Sequence, residues 1–190
     1  MADYPAHLAR EHRLADGRTV LIRPVRPDDV RREMAFLARL SPGARRMRFQ
    51  RAAGAPDADL ARFHAGVDYD RRMGFVAEAA EGDEETMVGE ASYMAHAGGE
   101  SCELGIVVAD DWHHSGLAQL LMQALIEAAR SRGFETLEGL VLRENVEMLD
   151  FVRSLGFRID AAWEDEAALR IVLPLIQVKS GDGPGGMMLT

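Results

Sequence analysis

The sequence predicts a mixed α/β domain in which helices are set between hairpin-linked strands. Short apolar runs of strand length alternate with longer amphipathic segments of helical period. Glycine-containing and acidic turns join neighbouring apolar runs closely enough to form hairpins. The chain has 190 residues, of which 47% are hydrophobic, and this suffices for one domain with a sizeable core.

The first part of the chain is predicted to contain one strand followed by helices. The turn signal Asp16-Gly17 precedes an apolar run, and Pro27 stands at a first helical position with acidic residues behind it. Ser41 and Pro42 resemble an N-cap and a first-turn proline. The predicted elements are a strand at 19–24, a helix from 27 to about 39, a short helix ending near 49 and a third helix at 57–65.

The second part alternates strands with two longer helices. An acidic segment at 81–85 is predicted as the exposed turn of a hairpin, and Gly98-Gly99 turns the chain into the next strand. Gly156 suits the position after a helix, where left-handed geometry favours glycine. The predicted strands are 73–80, 86–96, 102–108, 137–142, 157–163 and 167–174, and the predicted helices run to about 132 and from 145 to 155.

The composition limits which kinds of molecule the chain is expected to bind and the compartment it suits. A formal net charge of −9 argues against non-specific binding to nucleic acid or an anionic membrane, and it is compatible with a cationic substrate such as an amine. The single cysteine, Cys102, permits no intrachain disulfide and suits a reducing compartment. No signal peptide and no bilayer-length apolar run is found, so we expect a cytoplasmic protein. No metal-ligand spacing is present, and the sequence does not indicate an oligomeric state.

We expect a single domain over 1–178 and a flexible tail over 179–190. The tail is rich in glycine and formally contains G-x-G-x-x-G. Too few residues remain after it to form the helix that a dinucleotide-binding motif requires. The tail is therefore not predicted to bind a nucleotide.

The loop at 113–118 is the most informative segment. It follows an apolar strand and leads into an amphipathic helix, so it stands at a helix N-terminus. The first N–H groups of a helix have no partners within it, and its dipole adds about half a positive charge there. We therefore predict a phosphate-binding turn. Its residues are His113, His114, Ser115, Gly116, Leu117 and Ala118.

One acidic residue, Glu103, interrupts the apolar strand before this loop. Because side chains alternate along a strand, Glu103 shares a face with Gly105 and Val107. A carboxylate among apolar residues is solvated at an edge, paired with a cation, or placed in a working cleft. Gly105 leaves space over the strand, where a substrate could lie.

These motifs together resemble the GNAT superfamily of acyl-CoA-dependent N-acetyltransferases. The family motif R/Q-x-x-G-x-G/A matches 113–118, with His113 in place of Arg or Gln. A later motif, with Asn, Ala, Tyr and Gly-Phe in that order, matches at Asn145 and at Gly156-Phe157. Met148 replaces the alanine and Val152 replaces the tyrosine. Over roughly 4–174 the chain looks more specifically like the GNAT domain of bacterial protein lysine acetyltransferases.

The resemblance carries further expectations. It implies a mixed, mostly antiparallel sheet of six to seven strands, with helices on both faces and a splay between the fourth and fifth strands. Acetyl-CoA would bind in that splay as acyl donor, with no metal. Its pantetheine would pair with the backbone of Val107 and Val108 and contact Asn145, and its pyrophosphate would lie on the turn at 113–118. Glu103 would act as general base, through water.

Three functions remain open at this point. The first is transfer of acetyl to a lysine ε-amine on a protein, and the second is the same chemistry on a small-molecule amine. The third is a non-catalytic CoA-binding regulatory module. Glu103 distinguishes the third from the others, because a module that only binds CoA has no need of a carboxylate in the cleft.

Overall fold

A computed structural model describes residues 3–49, 66–81 and 84–176. The predicted helix at 57–65 and the predicted tail at 179–190 lie outside these residues. Within them, eight strands form one sheet in the order β1-β2-β3-β4-β5-β6-β8-β7. The strands are β1 (Arg10–Arg13), β2 (Thr19–Pro24), β3 (Arg72–Glu81), β4 (Glu84–Ala95), β5 (Ser101–Val108), β6 (Thr136–Leu142), β7 (Arg158–Ile159) and β8 (Ala168–Pro174).

Helices cover both faces of the sheet, as predicted. They are α1 (Val30–Arg39), α2 (Pro42–Phe49), α3 (Leu117–Ser131) and α4 (Val146–Ser154), with short 3₁₀ turns at Ala6–Leu8, Pro27–Asp29 and Asp110–Trp112. On one face, Phe36 and Leu37 of α1 pack in an apolar cluster with Val107 of β5. On the other face, buried residues of α3 and α4 share a larger cluster with Cys102. Within the described ranges, none of these helices has the length and apolar character to cross a bilayer.

One pair of strands departs from the antiparallel pattern. β5 and β6 are parallel, joined by the crossover helix α3, as parallel neighbours require. Their pairing covers only three positions and ends at Glu103 opposite Glu138. Both strands continue beyond this point, β5 to Val108 and β6 to Leu142. The sheet therefore splays where the family resemblance implied.

Two predictions of strand number and length were wrong. The predicted count of six to seven missed β1, whose exposed or half-exposed polar residues Arg10–Arg13 carry no apolar alternation. With β1 counted, the splayed strands are the fifth and sixth in chain order, and they are the same two strands that the prediction numbered fourth and fifth. The predicted strand at 157–163 is reduced to Arg158–Ile159, because only these residues pair with β8.

A buried ion cluster joins the start of α1 to the sheet. The Arg23 guanidinium, 2% exposed, donates to both carboxylate oxygens of Asp29 and of Glu78 at 2.7–2.8 Å. Arg32 of α1 adds a further ion pair to Glu78. The cluster therefore ties β2, β3 and the turn before α1 into one unit.

The same cluster makes folding sensitive to acid. Burial alone would raise the pKa of Asp29, but hydrogen bonds from Arg23 and from the Arg26 backbone N–H hold it below its ordinary value. The native state therefore binds the proton of Asp29 less readily than the unfolded chain does. This contribution to stability is present above about pH 4 and is lost as the pH falls through the lowered pKa of the folded state.

We predict that Arg23→Met lowers the free energy of unfolding by about 3–5 kcal/mol, because it removes the arginine hydrogen-bonded to buried Asp29 and leaves buried Glu78 with Arg32 alone. Urea unfolding followed by circular dichroism at pH 7 measures this change. Arg13→Met is the matched control, because it makes the same substitution at an exposed position of the neighbouring strand. The control should change stability by no more than about 0.5 kcal/mol. Equal effects of the two substitutions would contradict the role assigned to the cluster.

The core position of Cys102 gives a second prediction. Burial, followed by the nearby charge of Glu138, raises the pKa of this fully buried thiol to about 12. Because the thiolate is the nucleophile, only about one part in 10⁴ is reactive at pH 8. We expect iodoacetamide to leave the native protein unmodified and to alkylate it after denaturation, as measured by mass spectrometry. Rapid alkylation of the native protein would contradict this placement.

Candidate active site

The turn after β5 has the geometry of an anion cradle. His114 (φ +57°) and Gly116 (φ +88°) adopt left-handed backbone conformations, and α3 begins directly afterwards at Leu117. The first backbone hydrogen bond into the helix joins the Leu120 N–H to the Gly116 carbonyl at 3.3 Å. The N–H groups before Leu120 therefore have no acceptor within the helix, and they lie at the positive end of its dipole.

Two side chains of this turn serve the fold rather than a ligand. The buried Ser115 hydroxyl donates to the Trp112 carbonyl at 2.7 Å and accepts from the Leu117 N–H at 3.2 Å. The Leu117 side chain is fully buried against the sheet. The Ser115 hydroxyl and the Leu117 N–H are thus engaged with each other, and a phosphate at this turn would meet other backbone N–H groups of the turn rather than these two side chains.

The two histidines are exposed and contact different parts of the site. His113 Nε2 lies 3.3 Å from the carbonyl oxygen of Val108, the last residue of β5. His114 Nε2 lies 3.6 Å from a carboxylate oxygen of Glu147, in the first turn of α4. The phosphate turn and the start of α4 therefore face each other. Contact of either imidazole with phosphate stays a prediction.

Asn145 caps the helix that faces the turn. Its side-chain oxygen accepts a hydrogen bond from the Met148 N–H at 3.2 Å, as an N-cap residue does. Asn145 is half-buried, and its side-chain oxygen is engaged in the cap. Its side-chain NH₂ group can donate to a ligand. The predicted contact between Asn145 and pantetheine remains untested by this geometry.

The backbone of β5 beyond Glu103 supplies the other part of the site. The side chains of Val107 and Val108 are both buried, on opposite faces of the sheet. Only their backbone groups can meet a ligand in the splay. The ladder with β6 has ended before these residues, so an extended, amide-bearing ligand can pair with β5 there.

Glu103 lies at the apex of the splay. It is the last residue of β5 to pair with β6, and it shares a face of the sheet with Gly105 and Val107, as the alternation predicted. This is the face covered by α1 and α2. Its side chain is exposed and makes no ion pair with any residue in the described ranges. Of the three alternatives for this carboxylate, placement in a cleft fits an exposed residue on an interior strand.

The space over Gly105 is not empty, contrary to expectation. A Cβ at this position would lie 2.5 Å from Cζ of Arg48, so the guanidinium of α2 rests directly on the glycine backbone. Gly105 therefore accommodates a side chain of the same protein. A substrate approaching the strand from this side meets Arg48.

A polar cluster beside Glu103 was missed at the sequence level. Glu138, opposite Glu103 in the parallel pairing, is buried and lies 2.6 Å from His96 Nε2. Arg170 forms ion pairs with both Glu138 and Asp160. An acid inside the apolar strand 137–142 is the same signal that identified Glu103, and it could have identified Glu138.

An open cleft of about 450 Å³ lies next to this cluster, at the end of β5 opposite the phosphate turn. Its charged lining residues are Glu100, Glu135, Glu138, Asp160, Arg158 and Arg170. Four carboxylates against two guanidinium groups give the cleft a negative balance. A cationic ligand suits such a lining better than an anionic one.

Comparison with known proteins identifies the family. The sequence model described as "Acetyltransferase (GNAT) domain" matches residues 19–158. Acetyltransferase PA5475 of Pseudomonas aeruginosa is 38% identical over 144 residues, which are 76% of this chain and 77% of that protein. Acetyltransferase Pat of Mycolicibacterium smegmatis is 28% identical over 87% of this chain, and the match spans 48% of the length of Pat.

Solved structures share the fold. The GNAT domain of S. lividans PAT superposes with a TM-score of 0.82 at 24% identity, covering 90% of this chain and 99% of that one. A structure of yncA from Salmonella typhimurium, with its cofactor acetyl-CoA, gives a TM-score of 0.63 at 16% identity over 86% of this chain and 98% of that one. The splayed sheet, the family match and the named relatives agree, and the chain belongs to the GNAT family of acetyltransferases.

Proposed function

We propose that this acetyltransferase moves acetyl from acetyl-CoA directly to the ε-amine of a protein lysine, with Glu103 as general base. The observation that carries the proposal is the position of Glu103 at the apex of the splay, where the β5–β6 ladder ends. A base at that point would lie between the unpaired edge of β5, which would hold acetyl-CoA, and the face of the sheet from which an amine acceptor could approach.

The described residues fit acetyl-CoA as donor. The unpaired edge of β5 at Val107 and Val108 suits the amide groups of pantetheine. The turn at 113–118 offers N–H groups and a helix dipole to the pyrophosphate, and Asn145 stands across from it on α4. We assign the donor site to these residues: Val107, Val108, His113, His114, Ser115, Gly116, Leu117, Ala118 and Asn145.

The chemistry needs a proton acceptor and an oxyanion donor. The lysine amine, with a pKa of about 10.4, must lose a proton before its nitrogen can attack the thioester carbonyl carbon. Glu103 takes that proton through water, the neutral nitrogen then forms the N–C bond, and a β5 backbone N–H stabilises the oxyanion. The nitrogen gives its second proton to water as the tetrahedral intermediate collapses. The C–S bond then breaks and the amide is formed. Coenzyme A leaves as a thiolate that takes its proton from water.

Two residues that other mechanisms would use are excluded by their surroundings. Val152, at the position of the family tyrosine, is 1% exposed and has no proton to give a leaving group. Cys102 is buried on the opposite face of the sheet from Glu103, with its pKa raised to about 12, so an acyl-enzyme at this thiol is disfavoured. Direct transfer fits both observations.

The acceptor assignment rests on charge and on resemblance. The carboxylate-lined cleft lies on the same face as Glu103, beside its strand neighbour Glu138, and the net charge of the chain is −9. Both favour a cationic acceptor. The sequence segments shared with bacterial protein lysine acetyltransferases favour a protein lysine over a small amine. We further propose a single domain over 1–178 and a cytoplasmic location.

We predict that Glu103→Gln preserves acetyl-CoA binding while lowering kcat by about 10²–10⁴-fold, the usual contribution of a positioned base. Calorimetry measures binding, and thiol release on a lysine-rich protein and a panel of small amines measures turnover. Glu11→Gln is the matched control, because it removes an exposed carboxylate from the edge strand β1, outside the proposed site. It should leave binding and kcat close to wild type.

The outcomes separate the three functions. Turnover on protein alone, lost in Glu103→Gln, supports the full proposal. Turnover on a small amine contradicts the acceptor assignment and leaves the mechanism in place. Tight binding of acetyl-CoA without turnover on any acceptor contradicts catalysis and favours a CoA-binding regulatory module. Full activity of Glu103→Gln removes Glu103 as the base.

We predict that Gly116→Ala weakens acetyl-CoA binding by at least about tenfold, because the left-handed turn that aims the N–H groups at phosphate is disfavoured by a Cβ. Gly133→Ala is the matched control. It lies just beyond the other end of α3 with φ +79°, against +88° at Gly116, and a Cβ meets no atom within 4 Å at either site. Both variants should lose similar stability. Equal affinities in calorimetry would contradict the phosphate turn.

A further inference from the structure

The helix α2 lies across β5 on the face that carries Glu103. Its N-terminus is fixed by Ser41, whose backbone N–H and hydroxyl donate to the Asp110 carboxylate at 3.1 and 2.7 Å. One helical turn after Ala44, which packs with Val107 in an apolar cluster, Arg48 rests on Gly105. α2 therefore runs along β5 towards Glu103. The contacts of Ser41 and Ala44 fix the position from which the Arg48 side chain extends over Gly105.

Arg48 stands close to the point of reaction. Gly105 and Glu103 are two residues apart on the same face of β5, a separation of about 6.6 Å along the strand. Gly105 also lies in the part of β5 that no longer pairs with β6. The Arg48 guanidinium is thus placed over the unpaired strand, beside the carboxylate that the proposed function uses.

We propose that Arg48 is a positioning residue that keeps a positive charge over the acceptor path, so that the incoming amine is held neutral beside Glu103. The inference rests on the proposed function and adds the group that sets the protonation state of its acceptor. An ammonium group approaching Gly105 is repelled by the guanidinium, whereas a neutral amine is not. A neighbouring cation is an established way to activate an amine nucleophile.

Other charged groups face the same region. Glu90 on β4 and Glu138 on β6 share this face of the sheet with Glu103, and His96 and Arg170 form ion pairs with Glu138. Glu33 and Arg45 belong to α1 and α2, the helices on the same face. The carboxylates draw a cationic acceptor towards the cleft but also favour its charged form. A cation fixed over Gly105 opposes the second effect locally, at the place where the proton must be lost.

The direction of the pH effect does not depend on which group titrates. Arg48 lowers the pKa of a bound amine, because it disfavours the ammonium form, and it would also oppose protonation of a nearby carboxylate. Loss of the charge therefore moves the acidic limb of the kcat profile to higher pH in either case. A purely structural role for Arg48 would lower kcat at all pH values without moving the limb.

The test measures kcat against pH, at saturating acetyl-CoA, with the amine acceptor that gives wild-type turnover. We expect R48Q to move the acidic limb up by about 0.5–1 pH unit and to lower kcat below the limb by about 3–10-fold, with the high-pH plateau retained. R48K should keep the wild-type limb. R46Q is the matched control, because it removes an exposed cation of α2 that pairs with Glu144.

A second variant keeps the arginine and moves it. In G105A the new Cβ would displace the guanidinium, which is the far end of a flexible side chain, so the limb should shift in the same direction even if R48Q folds poorly. If the acidic limb of the kcat profile does not move in either R48Q or G105A, the inference is overturned while the proposed function stands. The same holds if the limb moves equally in R46Q. Absence of wild-type turnover on every amine would overturn the proposed function, and this inference with it.

Discussion

The early end of the β5–β6 ladder is the constraint on which the rest of the structure depends. Three paired positions hold the two halves of the sheet together, and both strands then continue apart. A sheet that loses its pairing exposes backbone donors and acceptors, which are costly to leave without partners. In this chain the unpaired edge of β5 runs towards the turn at 113–118, and in the proposed function the amide groups of pantetheine satisfy it.

The two faces of the sheet differ in polarity. Under α3 and α4 the inner strands present an apolar surface, and Cys102 and Val152 belong to that core. Under α1 and α2 the sheet carries the buried ion cluster of Arg23 and, farther along, the polar residues around the splay. Alternation along β5 alone decides that Glu103 and Cys102, adjacent in sequence, belong to different parts of the protein.

Much of the fold and part of the site follow from local patterns in the sequence. Several features can be recognised from a few neighbouring residues. They are the apolar run up to Val108, the turn with Gly116 and the N-caps Ser41 and Asn145. The edge strand β1 carries no such local signal, because its stability comes from pairing with β2 rather than from burial. Glu138, like Glu103, is an acidic residue within an apolar strand and could have been recognised in the same way. Its partners His96 and Arg170 come close to it only in the folded sheet.

The contact between Arg48 and Gly105 shows why other features could not be predicted. A glycine in a strand indicates that something approaches the backbone, but not what does so. The neighbour comes from a helix far away in the sequence, aimed by the anchoring of Ser41 on Asp110. Such a pair is fixed by tertiary packing, and composition and periodicity do not contain it.

The short parallel seam also orders the assembly of the chain. Strands β2 to β5 each pair with the preceding strand, and all of these pairings except that of β2 with β3 join segments close in sequence, so their closure entropy is small. The seam forms only after α3 has brought the chain back to the sheet. Only three paired positions then offset the entropy lost in that closure. The hairpins β3–β4 and β4–β5 close much shorter segments of the chain. The apex that holds Glu103 is thus expected to form after these two hairpins, on which β5 depends for its place in the sheet.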